Sequence, residues 1–91
     1  MKVNWTRGAL QSLSCIRDYI ASDNEIASAT VARRIKNAVK QLEIFPHAGR
    51  LGLRSGTREL VVAGLPYVVV YRVENATTQI LRVLHTSQQW H

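Results

Sequence analysis

The sequence predicts one α+β domain over residues 1–91, in which a helical hairpin packs on one face of a mostly antiparallel four-stranded sheet. Apolar residues recur every three or four positions through much of the first half, which is typical of amphipathic helices. Residues that favour strands fill three short runs in the second half, and short connections separate these runs. The expected order of elements is therefore β-α-α-β-β-β.

The first half contains a short strand followed by two helices. Lys2–Trp5 has the alternation of a strand, and Thr6 is placed to cap the first helix. Asn24 or Ser22 is placed to cap the second helix, which ends before Pro46 because the residue preceding a proline avoids the α region. The expected apolar stripes are Ala9, Leu13, Ile16 and Ile20 on the first helix, and Val31 or Ala32, Ile35, Val39 and Leu42 on the second.

The second half begins with a glycine-containing loop over 46–56 and continues with three expected strands over 57–63, 67–73 and 79–85. The connections between these strands are short enough for hairpins. We align the strands by pairing Ala63 with Tyr67 in the first hairpin and Val73 with Gln79 in the second.

This alignment assigns each side chain to one face of the sheet, because side chains alternate along a strand. The first face carries three arginines beside three apolar residues: Arg58, Arg72 and Arg82 with Leu60, Val70 and Ile80. The second face is more apolar, so it is expected to receive the helices; it holds Glu59, Val61, Tyr67, Val69, Tyr71, Val73, Leu81, Val83 and His85.

Two interpretations of the three arginines remain open. Neighbouring like charges repel, so the cluster is expected to meet an anion or a carboxylate, as in a binding or catalytic face. Alternatively, the guanidinium groups extend to solvent at the edge of the sheet. Both interpretations depend on register, because a slip of one residue moves a side chain to the other face.

The charge and composition narrow the class of protein. A net charge of +6 favours an acidic partner, such as nucleic acid, an anionic surface or an acidic polypeptide. The single cysteine, Cys15, is expected to be a small core residue and indicates a reducing cytoplasm as the compartment. The sequence has no phosphate-binding loop and no metal-ligand spacing, so we expect neither a cofactor nor a metal.

Several polar residues have both a functional and a structural interpretation. His85 is a candidate general acid or base, or an ordinary surface or core histidine. Glu59 is a candidate base, or a partner of a neighbouring arginine. The basic stretch on the second helix is a solvated face or a partner surface; it contains Arg33, Arg34, Lys36 and Lys40. Trp90 is expected to anchor the C-terminal tail onto the domain or onto a partner.

An ordered set of short motifs runs along the chain and includes Trp5-Thr6, Ala9-Leu10, Arg34-Ile35, Phe45-Pro46, Gly49-Arg50, Gly56-Thr57-Arg58-Glu59-Leu60, Pro66-Tyr67, Tyr71-Arg72 and Ile80-Leu81-Arg82-Val83-Leu84-His85. With these motifs on this plan of elements, the chain resembles the RelE/ParE family of toxins from type II toxin–antitoxin systems. The denser part of the resemblance, over residues 46–60 with Pro66-Tyr67, is closer to the ParE branch.

The resemblance implies a cytoplasmic toxin that forms a hetero-oligomer with a cognate antitoxin. ParE-like members inhibit DNA gyrase without being enzymes, and this is the preferred expectation. The alternative is a RelE-like endoribonuclease that cleaves messenger RNA on the ribosome. Such members typically have lysines ahead of the middle strands and a C-terminal tyrosine. Here all three lysines precede Pro46, and no tyrosine follows Tyr71.

The resemblance, together with the arginine face, yields three sets of candidate residues. The target-binding candidates are Arg50, Arg58, Arg72, Arg82 and Trp90. The antitoxin-binding candidates are Arg33, Arg34, Lys36, Lys40, Leu60 and Val70. The candidates for catalysis, under the endoribonuclease alternative, are Arg58, Glu59, Arg82 and His85.

Overall fold

The computed structural model describes residues 1–87. Its strands are β1 (Lys2–Trp5), β2 (Arg50–Leu51), β3 (Arg58–Val61), β4 (Tyr67–Glu74) and β5 (Thr77–His85). Its helices are α1 (Arg7–Ala21) and α2 (Glu25–Lys40), and a 3₁₀ turn, Gln41–Glu43, follows α2. Within this part of the chain the sheet has five strands in the order β1-β5-β4-β3-β2. The sequence predicted four strands, and the strand that it did not predict is β2. β1 is parallel to β5, and the other neighbours are antiparallel.

Both helices begin where the sequence predicts. The Thr6 hydroxyl accepts a hydrogen bond from the Ala9 N–H at 3.2 Å, and the Asn24 side-chain oxygen accepts one from Ala27 at 3.0 Å. Each cap satisfies one of the backbone donors that a helix leaves unpaired in its first turn. None of the helices in residues 1–87 is long and apolar enough to cross a membrane.

The helical hairpin and the sheet enclose one core. Its buried residues include Ala9 and Leu13 from α1, and Ala32, Ile35 and Val39 from α2. Ile16, Ile20 and Val31 pack against it, so the predicted stripes are confirmed. Cys15 lies beside the α1 stripe and is exposed, so its predicted place in the core is wrong.

The register of β4 on β5 is correct at one end of the hairpin and shifted at the other. Val70 pairs with Arg82 and Val68 with Leu84, as predicted. Val73 pairs with Thr78 instead of Gln79, because the turn has only two residues between Glu74 and Thr77. Tyr71 pairs with Ile80 and Val70 pairs with Arg82, so β5 has one extra residue, Leu81, between these pairs. This β-bulge restores the predicted register from Arg82 to the end of β5.

The predicted register of β3 on β4 is wrong by one residue. Val61 pairs with Val68, and Arg58 pairs with Tyr71 instead of Arg72. The hairpin closes through a hydrogen bond from the Val62 N–H to the Tyr67 carbonyl at 3.0 Å. Gly64 adopts a φ of +75°, which lets the Leu65 N–H turn back to the Val62 carbonyl. The connection therefore has four residues, one more than predicted.

This shift of one residue in register exchanges the faces of the sheet to which the β3 side chains point. Leu60 and Val62 now point towards the helices and pack with Tyr67, Val69 and Tyr71. Glu59 and Val61 alternate with them and belong to the opposite face, which we call the open face. The register that places Leu60 and Val62 in the core is favoured because it removes more apolar surface from water.

Tyr71 connects the core to the loop that precedes β3. Its side chain is fully buried, and its hydroxyl accepts a hydrogen bond from the buried Gly49 N–H at 2.8 Å. A Cβ atom on Gly49 would lie only 2.7 Å from that hydroxyl. The close approach explains why a glycine precedes β2.

We expect Tyr71→Phe to lower the free energy of unfolding by about 1–3 kcal/mol, because the Gly49 N–H loses its partner inside the protein. Chemical denaturation measures the change. Tyr19→Phe is the matched control, since Tyr19 is 80% exposed and its substitution should have almost no effect. Equal stability of the Tyr71 variant and the parent would contradict the role of this hydrogen bond.

The β4–β5 turn stores strain at Ala76. Asn75 and Ala76 have φ values of 51° and 59°, a pattern that favours glycine at the second position. Ala76→Gly should raise the free energy of unfolding by about 0.5–1 kcal/mol, because relief of the left-handed strain exceeds the entropy cost of glycine. Thermal unfolding measures the gain. Ala29→Gly, on the exposed face of α2, should lower stability by a similar amount.

Candidate functional site

The loop over 46–57 is held against the sheet by side chains from β3 and β4. Besides the Tyr71 contact, the Arg58 guanidinium donates to the Gly49 carbonyl at 2.8 Å and to the His47 carbonyl at 3.4 Å. The far end of the loop is closed by Thr57, which is buried and donates through its hydroxyl to the Arg54 carbonyl at 2.6 Å. The loop is thus anchored at both ends.

The anchored loop and the open face form a groove, which we call the open-face groove. It is lined by residues that include Leu51, Leu53, Glu59, Val68, Val70 and Leu84. Leu51 is 76% exposed and Leu53 is 73% exposed, although both are large apolar side chains. Neighbouring apolar side chains that remain in water on an anchored loop are typical of a protein-binding surface.

An ion pair lies at the rim of this groove. Arg50 and Glu59 are opposite each other in β2 and β3, and the Arg50 Nη2 atom lies 3.1 Å from Glu59 Oε1. The Arg50 side chain is 66% exposed, whereas the Glu59 side chain is only 15% exposed. Glu59 is therefore held by Arg50. The sequence had suggested Arg58 or Arg72 as its partner, and that expectation is wrong.

The structure separates the three arginines that were predicted to share a face. Arg58 belongs to the helix-side face and is engaged with loop carbonyls. Arg72 lies two residues after Val70 on the same open face, and its Nε atom points towards Gly56. Arg82 is exposed and lies against Gly8, in the first turn of α1. The predicted cluster is wrong because the β3 slip moves Arg58 to the other face, and because Arg82, although it keeps its predicted pairing with Val70, extends its guanidinium to the first turn of α1.

The four residues proposed for catalysis are divided in the same way. Glu59 and His85 both line the open-face groove. His85 lies at the end of β5, where its ring packs edge-on against Tyr67 and its Nδ1 atom accepts from the Ser87 N–H at 3.1 Å. Arg58 and Arg82 lie elsewhere, so the structure does not assemble the four residues in one site.

The antitoxin-binding candidates also fall into separate groups. Arg33, Lys36 and Lys40 are exposed on α2. Arg34 donates from Nη2 to the Ala63 carbonyl at 2.6 Å. Leu60 and Val70 were predicted to share a face, but the slip puts them on opposite faces: Leu60 packs against the core, and Val70 is buried under the open-face groove. Trp90 lies outside the described residues.

The residues that build the groove were not predicted from the sequence. Leu51 and Leu53 carry no motif, and their only signal was the presence of leucines between the glycines of a short loop. The anchoring role of Tyr71 had no local signal, because Gly49 is distant in sequence. Residues 1–87 hold no group of three or more His, Cys, Asp or Glu side chains placed to bind a metal ion.

The fold has a close counterpart among solved structures. A chain described as the chromosomal ParDE TA system from P. aeruginosa superposes with a TM-score of 0.84 at 30% identity, covering 93% of this chain and 95% of that one. These two helices on a mixed sheet are therefore the fold of a toxin–antitoxin protein.

The sequence comparisons agree with the fold. The model for the ParE toxin of the type II toxin–antitoxin system parDE matches residues 3–90. The putative toxin Y4kP of Sinorhizobium fredii is 43% identical over 89 residues, covering 98% of this chain and 92% of the relative. The toxin RelE2 of Caulobacter vibrioides is 39% identical over 87 residues, covering 96% and 97% respectively. This chain belongs to the ParE toxin family, and a type II toxin–antitoxin family implies an antitoxin as partner.

The contacts of Arg58 predict a role in positioning the loop. Arg58→Lys keeps the positive charge but not the reach to two carbonyls, so amides near Gly49 should exchange about five times faster with solvent deuterium. Amide exchange followed by NMR measures this change. Arg72→Lys is the matched control and should leave these amides unaltered. Unchanged exchange in the Arg58 variant would contradict a positioning role for Arg58.

Proposed function

We propose that this protein is a cytoplasmic toxin that inhibits DNA gyrase by binding it, and that its cognate antitoxin neutralises it. The family model matched by the chain is that of ParE toxins, and the superposed structure is described as a ParDE system. The ParE branch is also the one to which the motifs over residues 46–60 are closest. The proposal concerns the target, because the toxin–antitoxin family itself is established by the match over residues 3–90.

The observation that carries the proposal is the separation of the charged residues. Cleavage of RNA needs several side chains directed at one phosphate. These side chains stabilise the charge that develops on the phosphate and transfer protons. Arg58 is occupied by backbone carbonyls, and Glu59 is paired with Arg50. This arrangement favours a surface that binds a protein over a centre that cleaves a phosphodiester.

The open-face groove is the proposed contact with gyrase. Leu51 and Leu53 would supply apolar anchors, and Arg50 would supply positive charge at the rim of the groove. Arg72, on the same face of β4 as Val70, would add a second cation. Protein interfaces are commonly organised in this way, with a few apolar anchors inside a polar rim. Arg82 lies apart from the groove and would extend the contact towards the first turn of α1.

The exposed basic residues of α2 are the proposed contact with the antitoxin. Arg33, Lys36 and Lys40 recur at helical spacing, and no carboxylate of residues 1–87 forms an ion pair with them. An acidic segment of a partner would reduce their mutual repulsion. The two partners would therefore use separate surfaces.

The alternative function is a ribosome-dependent endoribonuclease. One observation favours it, since Glu59 and His85 line the same groove and could exchange protons with a bound RNA. The relative named RelE2 bears the name of the RNA-cutting branch. Under this alternative, the groove would hold a strand of messenger RNA.

Purified gyrase separates the two functions. We expect the toxin, freed of antitoxin, to block supercoiling of a relaxed plasmid, and its induced expression to leave messenger RNA intact. Leu51→Ser with Leu53→Ser should raise the concentration for half-inhibition roughly tenfold or more, because two apolar anchors are lost.

Ile26→Ser is the matched control for the leucine variants, since Ile26 is also an exposed apolar residue but lies in the first turn of α2. It should inhibit gyrase as the parent does. Undisturbed supercoiling together with rapid cleavage of translated messages would overturn the proposal in favour of the endoribonuclease.

A further inference from the structure

The first turn of α1 takes the place of a strand at the outer edge of β5. The pairing of β1 with β5 ends at Trp5 and Ile80, whereas β5 continues to His85. The N–H and the hydroxyl of Thr6 both donate to the Ile80 carbonyl, at 3.1 Å and 2.6 Å. Helix α1 therefore begins directly beside the second half of β5.

Gly8 lies in this first turn, where glycine is less favourable to a helix than alanine. Its φ is not positive, so the backbone conformation gives no reason for a glycine. The reason is a close approach, because a Cβ atom on Gly8 would collide with Nη1 of Arg82 and lie 2.7 Å from its Cζ atom. The Arg82 guanidinium occupies the space that a side chain would fill. A local preference that is broken in this way is expected at a functional position.

The Arg82 guanidinium is held in place but is not neutralised. Its Nη1 atom donates to the carbonyl of Leu81, the extra residue of the β5 bulge, at 2.9 Å. The first turn of α1 contains no acidic residue, and no carboxylate of residues 1–87 forms an ion pair with Arg82. A guanidinium has five donor hydrogens in a planar fork, so others remain for a ligand. Because Arg82 is exposed, an anionic group of a partner can reach them.

We propose that Gly8 is a positioning residue for the contact with gyrase. It lets the Arg82 guanidinium rest against α1, and from there the remaining donors bind a carboxylate of the target. The inference deepens the proposed function and rests on it. Arginine pairs with a carboxylate through two parallel hydrogen bonds, so the orientation of the fork matters as well as its charge. A side chain that is already held in that orientation loses less entropy when the target binds.

A double-mutant cycle at Gly8 and Arg82 tests this role, with inhibition of gyrase supercoiling by the purified toxin as the measurement. Gly8→Ala keeps the arginine but displaces its guanidinium, so the concentration for half-inhibition should rise about fivefold. Arg82→Ala should raise it about tenfold. The double variant should match Arg82→Ala within about twofold, because the glycine acts only through the arginine. Independent, additive losses would overturn the proposal.

Ser14→Ala is the matched control, since Ser14 is exposed on α1 and the change also favours the helix. It should inhibit gyrase as the parent does. Gly8→Ala should unfold at the temperature of the parent or above it, because alanine favours the helix and the end of the Arg82 side chain can move aside. A loss of potency with a lower unfolding temperature would overturn the proposal, since general destabilisation would then explain the loss.

NMR of the Arg82 side chain measures the positioning itself, without gyrase. In the parent, the order parameter of the Arg82 Nε–Hε bond should exceed about 0.6, and in Gly8→Ala it should fall below about 0.6, the range of flexible groups. An order parameter that Gly8→Ala does not change would overturn the positioning role of Gly8. A flexible Arg82 side chain in the parent would overturn it as well.

Linear duplex DNA without gyrase tests the chemistry of the ligand. We infer a carboxylate because the proposed contact in the open-face groove has the apolar anchors of a protein interface. Arg82→Ala should therefore change the affinity of the toxin for DNA by no more than about threefold, the effect of losing one charge. A loss of about tenfold or more would overturn the proposal, because Arg82 would then hold a phosphate.

The supercoiling assay also separates this inference from the proposed target. If the parent toxin and Gly8→Ala block supercoiling equally well, the proposed target stands and the role of Gly8 is overturned. If the parent toxin does not block supercoiling, the proposed target and the contact through Arg82 are both overturned. Inhibition by the parent, with a potency that depends on Gly8 only while Arg82 is present, is the expected result.

Discussion

The burial of Tyr71 is the constraint on which the rest of the functional surface depends. Its ring lies in the core, opposite Arg58 in β3 and Ile80 in β5. Because a buried hydroxyl needs a partner, it accepts the Gly49 N–H and holds the preceding loop on the sheet. Arg58 adds its contacts to the same loop. Without these contacts only the Thr57 end of the loop would be anchored, and Leu51 and Leu53 would be held less firmly at the open-face groove.

The same constraint distributes the charges of the protein. Since Tyr71 and Leu60 must both face the helices, Arg58 is on their side of the sheet and Glu59 is on the other. Glu59 then meets Arg50, and Arg58 meets backbone carbonyls. The predicted cluster of three arginines thus becomes one positioning residue, Arg58, and two separate cations, while the ion pair with Glu59 is made by Arg50. Packing of the core, rather than attraction between charges, decides this arrangement.

The net charge of +6 consequently has two structural roles. Some cations stabilise the fold, as Arg58 does at the loop and Arg34 does at the Ala63 carbonyl. Others, such as Lys36 and Lys40, are exposed on α2 and have no acidic neighbour in residues 1–87 that forms an ion pair with them. The proposed surfaces for target and antitoxin lie on different parts of the molecule.

The sequence by itself determined the two helices and most of the strands, because the signals for them are local. The helix caps at Thr6 and Asn24, and the apolar stripes of both helices, depend on residues only a few positions apart. It also determined the family, since the motifs extend along the chain. Only the tertiary structure decided the register of β3, the β5 bulge and the two-residue strand β2. Registers that differ by one residue have nearly the same local sequence preferences, and the core that buries Leu60, Val62 and Tyr71 selects between them.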